Sequence, residues 1–505
     1  MRLVFERGSQ RDRRWSVFPD LMRHRAGAAA RPIQIRDALW QSRPAGSLME
    51  SMGVTEQAFA VPASIEGMED DLRKGLLPAA VFHDRDVYDL ELRRIFAKSW
   101  VYIGHETEIP NRGDFVTRNI GEDPFILIRD EQGELRVLLN ACRHRGAQVC
   151  RVQAGNTKGF VCPFHGWAYR NSGELIGVPV RSQGYASLAL KEWGLFAAPH
   201  VTNYMGLIFA NLDPDAAPFE EYLGDYKWYF DIQFALSDGG MEVLGEPHRW
   251  LVDANWKQGA ENFCGDSSHT QMTHRSVLEA GIIDSAAAGA PREGTGLHVH
   301  DCSGHAISIR QVPGEAPFIS YPEEVTRHFH AGALSQDQFD LAKRSLLHNG
   351  TLFPNFSFLH IGLSDSPQKP QAGFLTLRVW QPKGPGQMEI WNWVLAPKEA
   401  SPEYKRRAYQ VGMSSFSPSG SFEQDDVAVW PGVTRTAGTV FAELNKVRFN
   451  YQMGMGDMST SKPLTDWVGP GVANSTNAGE GGLRTFHKTW YERMTNSKVE
   501  AGDHD

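Results

Sequence analysis

Two pairs of side chains stand out as able to do chemistry. Cys142-Arg143-His144 is followed, after seventeen residues, by Cys162-Pro163-Phe164-His165, so each of two loops offers one thiol and one imidazole. Four such donors at this spacing imply a metal. A structural Cys2His2 zinc site is one reading. The other is a [2Fe–2S] cluster, in which both thiolates hold one iron and both imidazoles the second. Imidazole carries less negative charge than thiolate, so such a cluster has a raised potential and can take electrons from a low-potential donor. Cys150 lies outside the set and reads as a small buried hydrophobe.

A second constellation lies in the run NWKQGAENFCGDSSHTQMTH, residues 255–274. Burying that many polar groups needs compensation. His269 and His274, with Asp266 beside them, suit a metal better than they suit a pair of satisfied core histidines. On a regular helix of 3.6 residues per turn their spacing sets them about 140° apart, so they cannot both face one ion. The spacing therefore predicts a break or bulge in the helix. Two imidazoles bind iron weakly; two His and one carboxylate hold it while leaving positions open for O2 and substrate. The segment FSPSGSFEQDDVAVW offers Glu423, Asp425 and Asp426 as that carboxylate, and Asp266 is a fourth candidate.

The strings CRHRGAQVC and CPFHGWAYRNSGEL, with Arg145-Gly146 and Gly166-Trp167, resemble the two loops of the Rieske domain in aromatic ring-hydroxylating dioxygenases. The resemblance to the large (alpha), catalytic subunit of these enzymes extends from Leu77 to Thr495. It implies a Rieske [2Fe–2S] cluster on Cys142, His144, Cys162 and His165. It also implies a mononuclear Fe(II) on His269, His274 and Asp426, the second of the two adjacent aspartates. Asp266 matches the residue that bridges a cluster His of one subunit, here His165, to an iron-ligand His of the next, here His269, which implies at least an alpha trimer. Asn262 is grouped with Asp266 in the catalytic set, and Asn262, Phe263 and Phe416 match substrate-pocket positions. The chain departs from many relatives after Asp426, where Val427-Ala428-Val429-Trp430 replaces Gly-Glu-Asn-Trp.

The implied reaction adds O2 across two adjacent ring carbons to give a cis-dihydrodiol. A ferredoxin and an NADH-dependent reductase supply the electrons, and a small beta subunit completes an alpha3beta3 assembly. The run ENFCGDSSHTQMTHRSVLEAG resembles enzymes acting on polycyclic arenes or aromatic acids such as phthalate. Two other readings use part of the same apparatus. A Rieske monooxygenase or demethylase would share both metal sites, whereas a Rieske electron-transfer protein would need only the first.

The surrounding chain must position these groups, and its patterning predicts how. Residues 1–71, which begin Arg-rich and Lys-free, are expected to be a disordered extension or to precede a true start at Met49 or Met52. Residues 72–112 read as docking helices, with Val87, Leu90, Leu92, Ile95 and Phe96 near a 3.6 period. From 113 to 215, GDFVTRNI, PFILIRD, ELRVLLNA and YMGLIFANL read as short strands of a small all-β Rieske domain. Residues 216–495 read as a larger α+β catalytic domain with helices around an antiparallel sheet, and 496–505 as a tail. There, HRWLVDANWKQGAENF begins as a strand and turns helical. PEEVTRHFHAGALSQDQFDLAKRSLL reads as helix, and FLTLRVWQP pairs with MEIWNWVLAP through KGPGQ.

Composition narrows the partners. A formal charge of -9 over 505 residues disfavours nucleic acid. No apolar run is long enough for a bilayer, so no membrane span is expected. Five cysteines form no disulfide-scaffold density, which suits a reducing, cytoplasmic setting.

Overall fold

The computed structural model describes residues 60–282, 296–301, 303–311, 318–456, 463–475 and 479–499. Most of the expected N-terminal extension lies outside the described residues, but its last part belongs to the fold. Ile65 and Met68 are each 1% exposed within the main core, and Glu69–Arg73 is a short helix. Two apolar side chains in an otherwise polar stretch suffice to dock it, a signal too sparse for periodicity to register.

Only part of the 72–112 segment is helical. Asp84 caps the helix Arg85–Glu91 by accepting from the backbone N–H groups of Asp86 and Val87, and one π turn, Leu92–Phe96, continues it. Val87, Leu90, Ile95 and Phe96 are buried, as the period requires. Val101–His105 is instead a strand, paired antiparallel with Leu207–Asn211. All five of its residues are buried, so it lacks the alternation that marks a half-exposed strand.

The strands Asp114–Ile120, Asp123–Arg129 and Leu135–Leu139 form an antiparallel meander. A second sheet joins Gly159–Val161, Ala168–Arg170 and Leu175–Gly177. Phe115, Ile126, Leu138, Phe160 and Tyr169 form a separate small core for this module. The first cysteine loop follows Leu135–Leu139; the second is the hairpin turn between Gly159–Val161 and Ala168–Arg170.

The catalytic region is built on a nine-stranded antiparallel sheet. Its order is Met241–Val243, Met388–Pro397, Ala372–Pro382, Phe356–Leu363, Ser345–Leu352, Ala306–Gln311, Gly296–His300 and Val472–Asn474, with His248–Val252 also paired to Met388–Pro397. The expected hairpin forms, with Pro382 opposite Met388. Phe356–Leu363 and Ala372–Pro382 are buried at every position, which explains their nearly continuous apolar runs. The helix expected over residues 322–347 divides into Glu323–Thr326 and Gln336–Arg344, and Ser345 already begins a strand. A capping box between Ser335 and Gln338 restarts the helix after the break.

A buried ion pair ties the helix Arg85–Glu91 to the helix Trp256–Asn262, which leads into the second constellation. Lys257 Nζ lies 2.5 Å from Glu91 Oε1, and both side chains are 0% exposed. Glu91 also accepts from the indole N–H groups of Trp256 and Trp490, each at 2.8 Å. Removing one partner strands the other charge in the interior. Glu91→Leu is therefore expected to destabilise the protein by about 3–5 kcal/mol, read from denaturant unfolding; an unchanged midpoint would contradict this.

Candidate metal centres

The two cysteine loops repeat one geometry. The N–H of Gly146 donates to the carbonyl of Cys142 (2.8 Å) and the N–H of Cys142 to that of Ala147 (2.8 Å). Gly166 and Cys162 do the same, to the carbonyls of Cys162 (3.0 Å) and Trp167 (2.8 Å). Gly146 and Gly166 both take left-handed φ, +75° and +73°, which a side chain would oppose. The Nδ1 atoms of His144 and His165 come within 3.1 Å, and the His144 ring stacks on Trp167. Cys142 and Cys162 are buried, whereas both imidazoles are partly exposed at the rim.

This division into an inner thiol pair and an outer imidazole pair suits a two-iron cluster. A single zinc ion needs its four donors around one centre. Among the described residues, the one group of three or more such donors within 4.8 Å of one another is His269, His274 and Asp426, which excludes the Cys/His set. Burial raises the Cys142 thiol pKa, opposed by a hydrogen bond from Tyr169. The Tyr169 hydroxyl accepts from the N–H of Arg143 (3.1 Å) and lies 3.2 Å from Cys142 Sγ, so its own proton points at the sulfur. Hydrogen bonds to sulfur raise a cluster's potential. One bond worth about 0.5–1.5 kcal/mol corresponds to about 20–60 mV for one electron. Tyr169→Phe should lower the potential by that amount in a redox titration followed by circular dichroism; no downward shift would remove the assigned bond.

In the second constellation the helix Trp256–Asn262 stops and the chain turns at Gly265, φ +103°. A Cβ there would stand 2.7 Å from His298 Nε2, so only glycine fits. Thr270–Thr273 is a separate short helix with His269 at its start and His274 at its end, φ -96° and ψ 26°. The interruptions thus fall on either side of the pair, after Asn262 and at His274, and not between the two histidines, where the single turn Thr270–Thr273 is helical; the two imidazole rings nonetheless lie 5.2 Å apart.

Asp426 reaches them from the helix Ser421–Ala437. Its Oδ1 is 3.7 Å from His269 Nε2 and 3.5 Å from His274 Nε2. The outer nitrogens face other carboxylates: His269 Nδ1 is 3.5 Å from Asp266 Oδ2, and His274 Nδ1 is 3.4 Å from Asp425 Oδ2. Ser268 and Ser276 donate to these two aspartates at 2.7 Å and 3.1 Å. Glu423 is committed elsewhere, 2.6 Å from Arg378 with both side chains 1% exposed. The three remaining carboxylate candidates thus occupy different places, and Asp426 is the one that meets both inner nitrogens.

Burial raises the Asp426 pKa to about 7; the Glu423 charge adds to this, while His269 and Arg378 oppose it. A carboxylate desolvated beside two imidazole nitrogens is stabilised by a bound cation. Two nitrogens and one oxygen, with outer carboxylates fixing each ring, are the donor set of non-haem iron. The residues fit the group.

A cleft of roughly 1000 Å³, its open mouth included, begins at these three side chains. Asn262, Phe263 and Phe416 line it, with Phe422, Leu359 and Ile361. A second cavity of about 500 Å³ adjoins Asp266, His269 and Asp426 and is bounded by Gln258, Glu261 and Trp430. Sequence reasoning missed Tyr169, Phe422, Arg310 and Asn349. The last two sit on the strands Ala306–Gln311 and Ser345–Leu352, which the sequence reading did not assign as strands.

An all-β module with paired Cys/His loops, followed by a sheet-and-helix domain with a two-His, one-carboxylate site, defines an iron-dependent oxygenase. Residues 99–196 match the Rieske [2Fe-2S] domain family, and residues 219–496 match the ring hydroxylating alpha subunit (catalytic domain) family. The chain belongs to the alpha subunits of Rieske ring-hydroxylating oxygenases. The N,N-dimethyl phenylurea N-demethylase subunit alpha of Sphingobium sp. (strain YBL2) is 36% identical, over 87% of this chain and 96% of that protein. The biphenyl 2,3-dioxygenase subunit alpha of Rhodococcus jostii (strain RHA1) is 34% identical, over 86% and 92%. Naphthalene 1,2-dioxygenase from Rhodococcus sp., solved with indole bound, superposes with a TM-score of 0.80 at 41% identity, covering 85% of this chain and 98% of that one. The cofactors are accordingly a Rieske [2Fe–2S] cluster and a mononuclear non-haem iron. No helix among the described residues is long and apolar enough to cross a membrane.

Proposed function

We propose that this subunit dioxygenates an aromatic ring to a cis-dihydrodiol. Cys142, His144, Cys162 and His165 hold the cluster, and His269, His274 and Asp426 hold the mononuclear iron. The bound metals supply single electrons and O2 activation. The chain's own part is binding and orientation. Asp266 and Asp425 fix the rings of His269 and His274 through their outer nitrogens. Phe263, Phe416 and Phe422 hold a flat apolar ring beside the metal ligands and keep water from it, and Asn262 borders the same space. Asp266 belongs to both cavities, and it would link His269 to the His165 of a neighbouring alpha subunit. The assembly is an alpha3beta3 complex with a small beta subunit, fed by a ferredoxin and an NADH-dependent reductase in the cytoplasm.

The observation carrying this reading is the convergence of His269, His274 and Asp426 at one end of an apolar cleft. The test is turnover under 18O2, with ferredoxin, reductase and NADH, against a panel of arenes and arene carboxylates. A product carrying two labelled oxygens on adjacent ring carbons supports it. The N-demethylase relative favours a second reading, a Rieske monooxygenase or demethylase. Its mark would be a single labelled oxygen, or loss of a methyl group as formaldehyde. A protein that passed electrons but oxygenated nothing would be the electron carrier that the second domain argues against.

A further inference from the structure

The cleft is apolar along most of its wall, but one side is not. Ala306–Gln311 and Ser345–Leu352 pair antiparallel, with Ser308 opposite Asn349 and Arg310 opposite Leu347. Paired residues, and residues two apart on one strand, point to the same face. Ser308, Arg310 and Asn349 therefore share a face, and both Arg310 and Asn349 line the cleft.

The position of this polar edge relative to the metal ligands follows from one contact. Ser308 Oγ is 2.9 Å from Ser267 Oγ, in the loop that carries Asp266 and His269. Arg310 lies two residues further along the strand, about 7 Å from that contact. A ring beside His269 and Asp426 could thus extend a substituent to Arg310. Asn349, whose Oδ1 is buried without a hydrogen-bond partner, also brings an amide NH2 to this face, and that group can donate to an anion. Among the described residues lining the cleft, Arg310 is the one with a fixed positive charge, while Asp266 and Asp426 are acidic. A cation held by Asp426 neutralises that carboxylate while Asp266 stays acidic, so away from the metal ligands the attraction for an anionic substituent lies at Arg310. A guanidinium has five N–H donors, so it can serve a carboxylate along with other acceptors.

We propose that Arg310 is a specificity-determining residue that selects an aromatic acid, pairing with the substrate's carboxylate while the side-chain NH2 of Asn349 donates a second hydrogen bond to it. This rests on the reading that the cleft holds the arene. The probes are 2-naphthoate and naphthalene, which differ by the carboxylate alone, titrated calorimetrically into anaerobic holoenzyme and then assayed for turnover. Naphthoate should bind about 10- to 100-fold more tightly than naphthalene. Arg310→Gln should erase most of that preference, and Arg310→Lys should keep part of it. Equal or tighter binding of naphthalene by the unsubstituted protein would overturn the inference without recourse to any variant. So would an Arg310→Gln protein, folded by circular dichroism, that keeps the full preference. Oxygenation of naphthalene with no binding of naphthoate would remove the inference and leave the oxygenase reading standing. No oxygenated product from either probe would remove the reading itself, and the inference with it.

Discussion

Asp426→Ala is expected to leave the [2Fe–2S] cluster in place while removing the mononuclear iron and ring oxidation together. The carboxylate's Oδ1 is the shared partner of both inner imidazole nitrogens, at 3.7 Å and 3.5 Å. No neighbour can replace it without releasing a bond of its own. Asp425 faces the outer nitrogen of His274, Asp266 the outer nitrogen of His269, and Glu423 is paired with Arg378. Loss of partners outside the ligand set typically costs about 10- to 100-fold in metal affinity or activity, so loss of a ligand should exceed that range. The cluster lies in the other module with its own small core, so its absorbance should persist. Iron analysis should find one iron fewer per chain, and turnover should fall by more than about 100-fold. Retention of that iron and of product formation would transfer the ligand role to another carboxylate.

Asp266→Asn should give the complementary result, with both centres loaded and product formation reduced by about 100-fold. Asp266 does not touch the inner nitrogens. It stands beside the outer nitrogen of His269 and accepts from Ser268. Its carboxyl pKa lies below the ordinary value: burial raises it, but the bonds from His269 and Ser268 outweigh that. An amide keeps the shape and loses the charge, so iron content should hold while communication through His269 fails. Stopped-flow measurement separates the steps. Cluster reduction by ferredoxin should proceed at its usual rate, and cluster reoxidation in the presence of substrate and O2 should become slow. Normal reoxidation with normal product yield would exclude Asp266 from the path between the centres.

The sequence was most informative where chemistry depends on neighbours along the chain. Each cysteine loop is a tight turn closed by its own backbone bonds, so the Cys and His spacing within it already determined the pose. The five-residue interval between His269 and His274 pointed to an interrupted helix, but the interruptions flank the pair and the turn Thr270–Thr273 between them is helical. The FLTLRVWQP and MEIWNWVLAP strands were legible because a turn-rich KGPGQ separates two apolar runs. Val101–His105 and the divided helix near residue 330 were not legible. In the first, complete burial erases periodicity; in the second, Gly332 turns the chain at φ +52° and the capping box at Ser335 starts a new helix, which pairing of Ser345–Leu352 with Ala306–Gln311 then ends.

Residue types and local spacing alone thus determined two metal-binding constellations, the module that carries each, and the need for a carboxylate. They could not choose that carboxylate. His274 and Asp425 are 151 positions apart, and which face of the helix Ser421–Ala437 meets the histidines depends on how that helix docks. Nor could they reveal Arg310, because an alternating strand has the same pattern whether its polar face meets solvent or a cavity. Only the packing of the helices and loops over that face makes it the wall of the cleft beside His269 and Asp426.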